Sequence, residues 1–216
     1  MRKFIIVIDS GIGGKDFMKK LKECKYKCKF VKPFNSVVGK DDKNYVRYNI
    51  IKLLQTYSHT KVQSIIIACH SISSCIIDIL IENKFRINNI PIYEPIIPMC
   101  FYISQHKYKY RNILILSTPL TQRMRYHYRL LKSNSRVIKY LTFPRLAKEL
   151  ELGLCYNKSF ERLQKQKKFI EKCDCIILGC THYNTIKGEI SQEVRGKYNF
   201  KGDILDSNEI LRISLN

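Results

Sequence analysis

The stretch Cys173-Asp174-Cys175-Ile176-Ile177-Leu178-Gly179-Cys180-Thr181-His182-Tyr183 decides how the chain is read. Cys175 to Leu178 is a short apolar run of the kind that makes a strand buried on both faces, as in a parallel sheet. Gly179 ends the run, and Asn184-Thr185-Ile186-Lys187-Gly188-Glu189-Ile190 begins a helix-like pattern. Cys180, Thr181 and His182 therefore stand at a strand's carboxyl end, the edge of an open parallel sheet where ligands bind. A thiol, a hydroxyl and an imidazole delivered together suit an active site. A buried cysteine beside a helix-capping threonine accounts for the same letters.

The first half of the chain carries a partner. Ser64-Ile65-Ile66-Ile67-Ala68-Cys69-His70-Ser71 again ends an apolar run in a cysteine followed by a hydroxyl residue. Ile72 to Leu80 follows with helical spacing. Two halves built alike would each offer one thiol to a shared cleft.

The alternation extends along the chain. Lys3 to Ile8 reads as a strand that stops at Asp9-Ser10-Gly11-Ile12-Gly13-Gly14, before a helix with Phe17, Met18, Leu21 and Cys24 on one face. Glycines at such a turn let backbone N–H groups approach an anion. Position 16 is Asp, so no GxGxxG is formed, and no Gly-Lys-Ser/Thr triplet exists. Asp9 suits either a helix cap or a catalytic carboxylate. Cys28 to Pro33 is a second strand, Val37 to Lys40 a loop, and Asn44 to Tyr57 a helix with Ile50, Ile51, Leu53 and Leu54 toward the core. Asn88 to Pro98, with prolines at 91, 95 and 98, is the best domain boundary. Beyond it, Asn112 to Leu116 is a strand ending in Ser117-Thr118-Pro119-Leu120-Thr121, with a helix through Leu131. Arg136 to Leu141 is a strand, Pro144 to Leu152 a helix stopped by Gly153, and Phe160 to Lys172 an amphipathic helix. Gly202 to Ser207 is a late strand. Strands alternating with helices predict an α/β protein with parallel sheets.

Composition narrows the function classes. At 216 residues and 45% hydrophobic, the chain can bury a core as one domain or two small ones. No run is long enough for a membrane span and the N-terminus enters a strand pattern directly, so a cytoplasmic protein is expected, without membrane contact. The net charge of +21 fits either attraction to a polyanion or a lysine-rich bias spread over solvated faces. The basic clusters (Lys19 to Lys22, Lys25 to Lys32, Lys107 to Arg111, Lys165 to Lys168) are scattered, without a tail, an RNP-type motif or a helix-turn-helix signature. The bias is favoured, with nonspecific polyanion binding at low salt. Nine cysteines in an unsignalled chain imply reduced thiols. Cys24-x3-Cys28 and Cys173-x-Cys175 are not matched metal knuckles, so zinc is the minor reading.

Taken together, these stretches resemble the cofactor-independent aspartate/glutamate racemase superfamily, and glutamate racemase most closely. Asp9-Ser10-Gly11-Ile12-Gly13-Gly14 is similar to its N-terminal DSGxGG loop, and Ala68-Cys69-His70-Ser71 to its first cysteine motif, usually ACNT. Thr118-Pro119-Leu120-Thr121 resembles its TxGT turn, and Pro144 to Gly153 its Pro…Glu-x-Gly segment. Leu178 to Tyr183 matches the second cysteine motif, and Asp206-Ser207 a late Asp-Ser. His70 and Ser71 replace Asn and Thr, Val37-Val38-Gly39 replaces Pro-Tyr-Gly, Leu120 replaces Gly, and Asn184 replaces Pro. The chain also ends soon after Asp206-Ser207.

The resemblance implies two similar parallel-sheet α/β domains facing each other across a cleft, residues 1–92 plus 206–216 and residues 93–205. It implies Cys69 and Cys180 as the two catalytic bases, Asp9 assisting Cys69, and His182, supported by Glu151, assisting Cys180. Ser10, Gly39, His70, Ser71, Thr118, Thr121 and Thr181 would hold the substrate. No pyridoxal or metal cofactor is implied. A small amino-acid substrate, a homodimer and D-glutamate supply to peptidoglycan are the expectations. An aspartate or broad-specificity racemase is the nearest alternative, then a decayed racemase kept for binding, then a basic nucleic-acid binder.

Overall fold

The computed structural model describes residues 4–58, 60–106 and 108–215. Lys3, at the start of the expected first strand, and Lys107, in a basic cluster, lie outside these residues. The apolar run Ile5–Ile8 forms β1, buried throughout, and turns into α1 (Ile12–Glu23). Then come β2 (Cys28–Val31), α2 (Lys43–Tyr57), β3 (Ser64–Ile67) and α3 (His70–Glu82). A short β4 (Arg86–Ile87), β5 (Ile90–Tyr93) and α4 (Ile96–Gln105) follow. The strands lie in the order β2-β1-β3-β5-β4, all parallel except β4 against β5.

The proline-rich stretch expected to separate domains is therefore partly strand and partly helix. Pro91 is tolerated because it precedes the pairing with β3, which starts at Ile92, so its missing N–H leaves no gap in that ladder. Pro95 then sits immediately before α4.

A second sheet follows from β6 (Asn112–Ser117), α5 (Pro119–Met124), α6 (Tyr126–Leu131), β7 (Val137–Thr142) and α7 (Leu146–Glu151). It continues through α8 (Asn157–Gln164), α9 (Lys167–Ile170), β8 (Cys175–Gly179) and α10 (Thr181–Asn184). The last elements are α11 (Lys187–Tyr198), β9 (Asp203–Asp206) and α12 (Ser207–Ile213). The order is β7-β6-β8-β9, parallel throughout. Two helices expected to be continuous are divided. Arg125, in the left-handed region at φ 55°, separates α5 from α6. The expected helix over 160–172 is α8 and α9, which still turn Leu163 and Ile170 inward.

Alternation along the strands feeds both faces of each sheet. Ile6, Ile8, Ile65 and Ile67 pack with Val46, Ile50, Leu54, Ile72 and Ile76 of α2 and α3. Ile5, Val7 and Ile66 face Phe17 and Leu21 of α1, joined by Leu211 from α12. In the second sheet, Leu114, Leu116, Ile176 and Leu178 pack with Leu146, Leu163, Ile190 and Val194. Its other face joins Ile113, Ile115 and Ile177 to Met99 and Ile103 of α4 and to Ile77 of α3. That last cluster ties the two sheets together. Among the described residues, no helix is long and apolar enough to cross a membrane.

Candidate active site

Four strands end in polar residues at the carboxyl edges of the two sheets. Asp9 and Ser10 follow β1, Cys69 follows β3, Thr118 follows β6 and Cys180 follows β8. Cys69 is the N-cap of α3 and Cys180 the N-cap of α10, so the two thiols occupy matching places in the two sheets. Each cysteine is only 5% exposed. The sequence does this by carrying each apolar strand to its last residue and placing the reactive group at the turn.

Side chains from opposite sheets meet here. Thr181 Oγ1 donates to Asp9 Oδ2 at 3.0 Å, and the Gly11 N–H donates to Asp9 Oδ1 at 2.9 Å. Ser10 Oγ lies 3.6 Å from Cys69 Sγ. Ser71 Oγ is 2.8 Å from Thr118 Oγ1 and 3.4 Å from Thr121 Oγ1, while Thr118 caps α5 through the Thr121 N–H. The Leu120 N–H donates to the Gly39 carbonyl at 2.8 Å. Gly39 must be a glycine at this approach: a Cβ there would come within 2.8 Å of Thr118 Cγ2. Beside Gly39 and Thr118 opens a cavity of about 250 Å³, whose rim includes Lys40, Arg145 and Lys148.

Glu151 forms the other junction. Its Oε2 takes the Ile12 N–H at 2.7 Å at the start of α1 and lies 3.0 Å from His182 Nε2. Its Oε1 accepts from Lys32 Nζ at 2.8 Å. His182 first, with Lys32 and the Ile12 N–H, holds the Glu151 carboxyl down at about 2 against its partial burial. At Asp9 burial is complete and wins, pushing its carboxyl up to about 6, although the His182 charge and hydrogen bonds from Gly11 and Thr181 oppose it.

Burial also pushes the Cys69 thiol up to about 12, and the nearby Asp9 charge adds to this. Cys180 is raised well above the ordinary range by burial and then by the charge of Cys69, so the two sulfurs feel each other. N–H groups of Ile72 and Ser71 pull Cys69 the other way, as those of His182 and Tyr183 do for Cys180. Burial therefore favours the protonated form of both sulfurs.

Of the residues singled out in the sequence, Asp9, Ser10, Cys69 and Thr181 form one group, and Ser71, Thr118, Thr121 and Gly39 another. His182 and Glu151 form a third, with Cys180 two positions before His182 in the chain. His70 is turned onto a partner that sequence reasoning missed, the buried His127 of α6. Lys32 was missed too. Nothing in the spacing marks either: His127 is one apolar-face position in a short helix, and Lys32 one lysine among many. Among the described residues, no group of three or more His, Cys, Asp and Glu side chains is arranged to hold a metal ion.

No family model matches the chain. A glutamate racemase of Aliivibrio salmonicida is 28% identical over 208 residues, 91% of this chain and 74% of that protein. The crystal structure of glutamate racemase from Campylobacter jejuni superposes with a TM-score of 0.80 at 22% identity, covering 98% of this chain and 84% of that one. Picrophilus torridus aspartate racemase superposes with a TM-score of 0.60 at 15% identity, covering 100% and 93%.

Proposed function

We propose, for a chain whose sequence and fold are those of the aspartate/glutamate racemase superfamily, a cofactor-independent racemase acting on glutamate. The observation that carries this reading is the pair of thiols, Cys69 and Cys180, at matching strand ends and within each other's electrostatic reach. The closer superposition with a glutamate racemase than with an aspartate racemase favours glutamate as substrate.

Racemisation removes the α-proton from one face of the carbon and returns a proton to the other. A base on each face does this without turning the substrate over. Both sulfurs are buried, and the loss of solvation that a thiolate would suffer there is the main reason their protons are held tightly. The substrate's α-ammonium brings positive charge to them and lowers the cost of one thiolate. Asp9, pushed up to about 6, then accepts the Cys69 proton near neutral pH; on the other side His182, aligned by Glu151, assists Cys180. The thiolate takes the α-proton, and the C–H electron pair moves into the substrate carboxylate. The opposite thiol then gives its proton to the far face of the carbon, leaving that sulfur as the thiolate. Each turnover exchanges the two roles. Ser71, Thr118, Thr121, Thr181, Ser10, His70 and Gly39 surround the amino acid, and N–H groups at the helix starts bind its carboxylates.

The steps use no cofactor. The two halves, 1–92 with 206–216 and 93–205, act as the jaws of the cleft. The product suits D-glutamate supply to peptidoglycan, with the enzyme working as a homodimer in the cytoplasm.

Cys69→Ser and Cys180→Ser should each abolish racemisation while leaving amino-acid binding largely intact. Each variant should still eliminate the leaving group from one enantiomer only of a β-substituted glutamate analogue. Near-wild-type racemisation by either serine variant would rule out the two-thiol mechanism.

A further inference from the structure

His70 opens α3 beside Cys69, and its ring lies nearly parallel to that of His127 on α6, with centroids 5.9 Å apart and planes 12° apart. Tyr140 of β7 meets the His127 ring edge-on at 6.4 Å. Both histidines are buried, at 1% and 0% exposure, and neither ring nitrogen of either has a hydrogen-bond partner among the described residues. A neutral imidazole carries one N–H donor and one acceptor nitrogen, and buried polar atoms of this kind are normally matched. A phenylalanine or leucine would fill an ordinary core position without that penalty. Two adjoining unmatched rings, one next to a reactive thiol, mark a place where a ligand completes the hydrogen bonding. The ligand needs a donor for a bare imidazole nitrogen and an acceptor for an N–H. An α-amino acid brings both, in its ammonium and carboxylate groups. Burial first, and then His127, keeps the His70 imidazole well below its ordinary range, so it meets an ammonium as an acceptor and not as a second cation.

We propose that His127 is a positioning residue of the amino-acid site: it fixes the His70 ring so that one nitrogen faces the substrate's α-ammonium group. The inference rests on the racemase reading and adds to it a residue outside the two cysteine motifs. His127 acts through His70 and does not touch the reacting carbon.

The test compares racemisation kinetics and thermal unfolding of the wild type with those of His127→Leu and His127→Phe. His127→Leu removes the flat ring on which His70 is stacked. Its KM should rise about tenfold, the loss expected when one charge-assisted hydrogen bond is misaligned, with kcat within about threefold. Its Tm should stay close to that of the wild type, because two unmatched buried nitrogens go with the lost ring contact. His127→Phe keeps the flat ring and should recover most of the KM. A wild-type KM in His127→Leu would overturn the inference, as would a fall in kcat at unchanged KM. Should His127→Leu not fold, the imidazole nitrogen resonances of the wild type decide: those of both His70 and His127 should move on adding D-glutamate, and movement of neither would overturn the proposal. A wild type that racemises while His127→Leu keeps its KM sinks this inference alone. A wild type that turns over no amino acid sinks the racemase reading beneath it.

Discussion

Asp9 and Glu151 are carboxylates of one site with opposite effects on stability. Asp9 is fully buried and its folded value, about 6, lies above its ordinary 3.8. Folding therefore favours its protonated form, and the stability it contributes is complete below pH 3.8 and lost as pH rises through about 6. Asp9→Asn should consequently stabilise the protein near pH 7 by on the order of 2 kcal/mol, with the gain shrinking below about pH 4. The same variant should lose about 100-fold or more in turnover, since Asn cannot accept a proton from Cys69. Urea unfolding at the two pH values, with activity at the higher one, checks both parts. An unchanged midpoint near pH 7 would mean that Asp9 is not strained by burial. Glu151 works the other way: its folded value, about 2, lies below its ordinary 4.5, so its contribution is present above pH 4.5 and lost as pH falls toward 2. The fold tolerates the strained carboxylate on the side of Cys69 and anchors the favourable one against His182.

At the scale of elements, the site depends on α1 pressing against α10. Gly13 makes this contact, and a Cβ there would lie 2.6 Å from the Cβ of Thr181. Gly13→Ala should destabilise the protein by about 1–3 kcal/mol through overpacking. It should also lower activity strongly, because Thr181 and the adjacent Cys180 must shift. A variant with wild-type Tm and turnover would show that the two helices have room to spare. Much at this scale was legible in the sequence. Apolar runs such as Ile5–Ile8 and Cys175–Leu178 have few alternatives to a buried strand, and the polar letters that follow them fall at the edge where ligands bind. The strand at Ile90–Tyr93 was hidden by its own proline, whose cost vanishes only once the pairing with β3 is known to start at Ile92. The break at Arg125 was also hidden, because a left-handed residue between two helical segments leaves no mark when it is not glycine. The cysteines, Asp9, Glu151 and His182 stand in motifs that single them out as candidates. Lys32 and His127 do not, because each meets its partner, Glu151 or His70, only when elements distant in the chain come together.

At the scale of the molecule, the net charge of +21 and the burial of Cys69 and Cys180 are the two properties left to test. The ion pairs among the described residues use only a few of the lysines and arginines, which leaves many cations on solvated faces. Binding to DNA or RNA should accordingly be independent of sequence and fade steeply as salt rises. Sequence discrimination that survives moderate salt would require a dedicated nucleic-acid surface. The burial of the two thiols bears on the central claim more directly. Cys69 and Cys180 are almost wholly covered, so on the proposed reading an amino acid reaches the sulfurs only when that cover opens. The decisive measurement is proton NMR of L- and D-glutamate incubated separately with the protein in D2O, with no metal or pyridoxal added. Two opposed thiols predict that either enantiomer is converted to the other and that the first product formed carries deuterium at the α-carbon. Full retention of the α-proton in both enantiomers, or exchange that begins only when a metal or pyridoxal is supplied, would contradict the account.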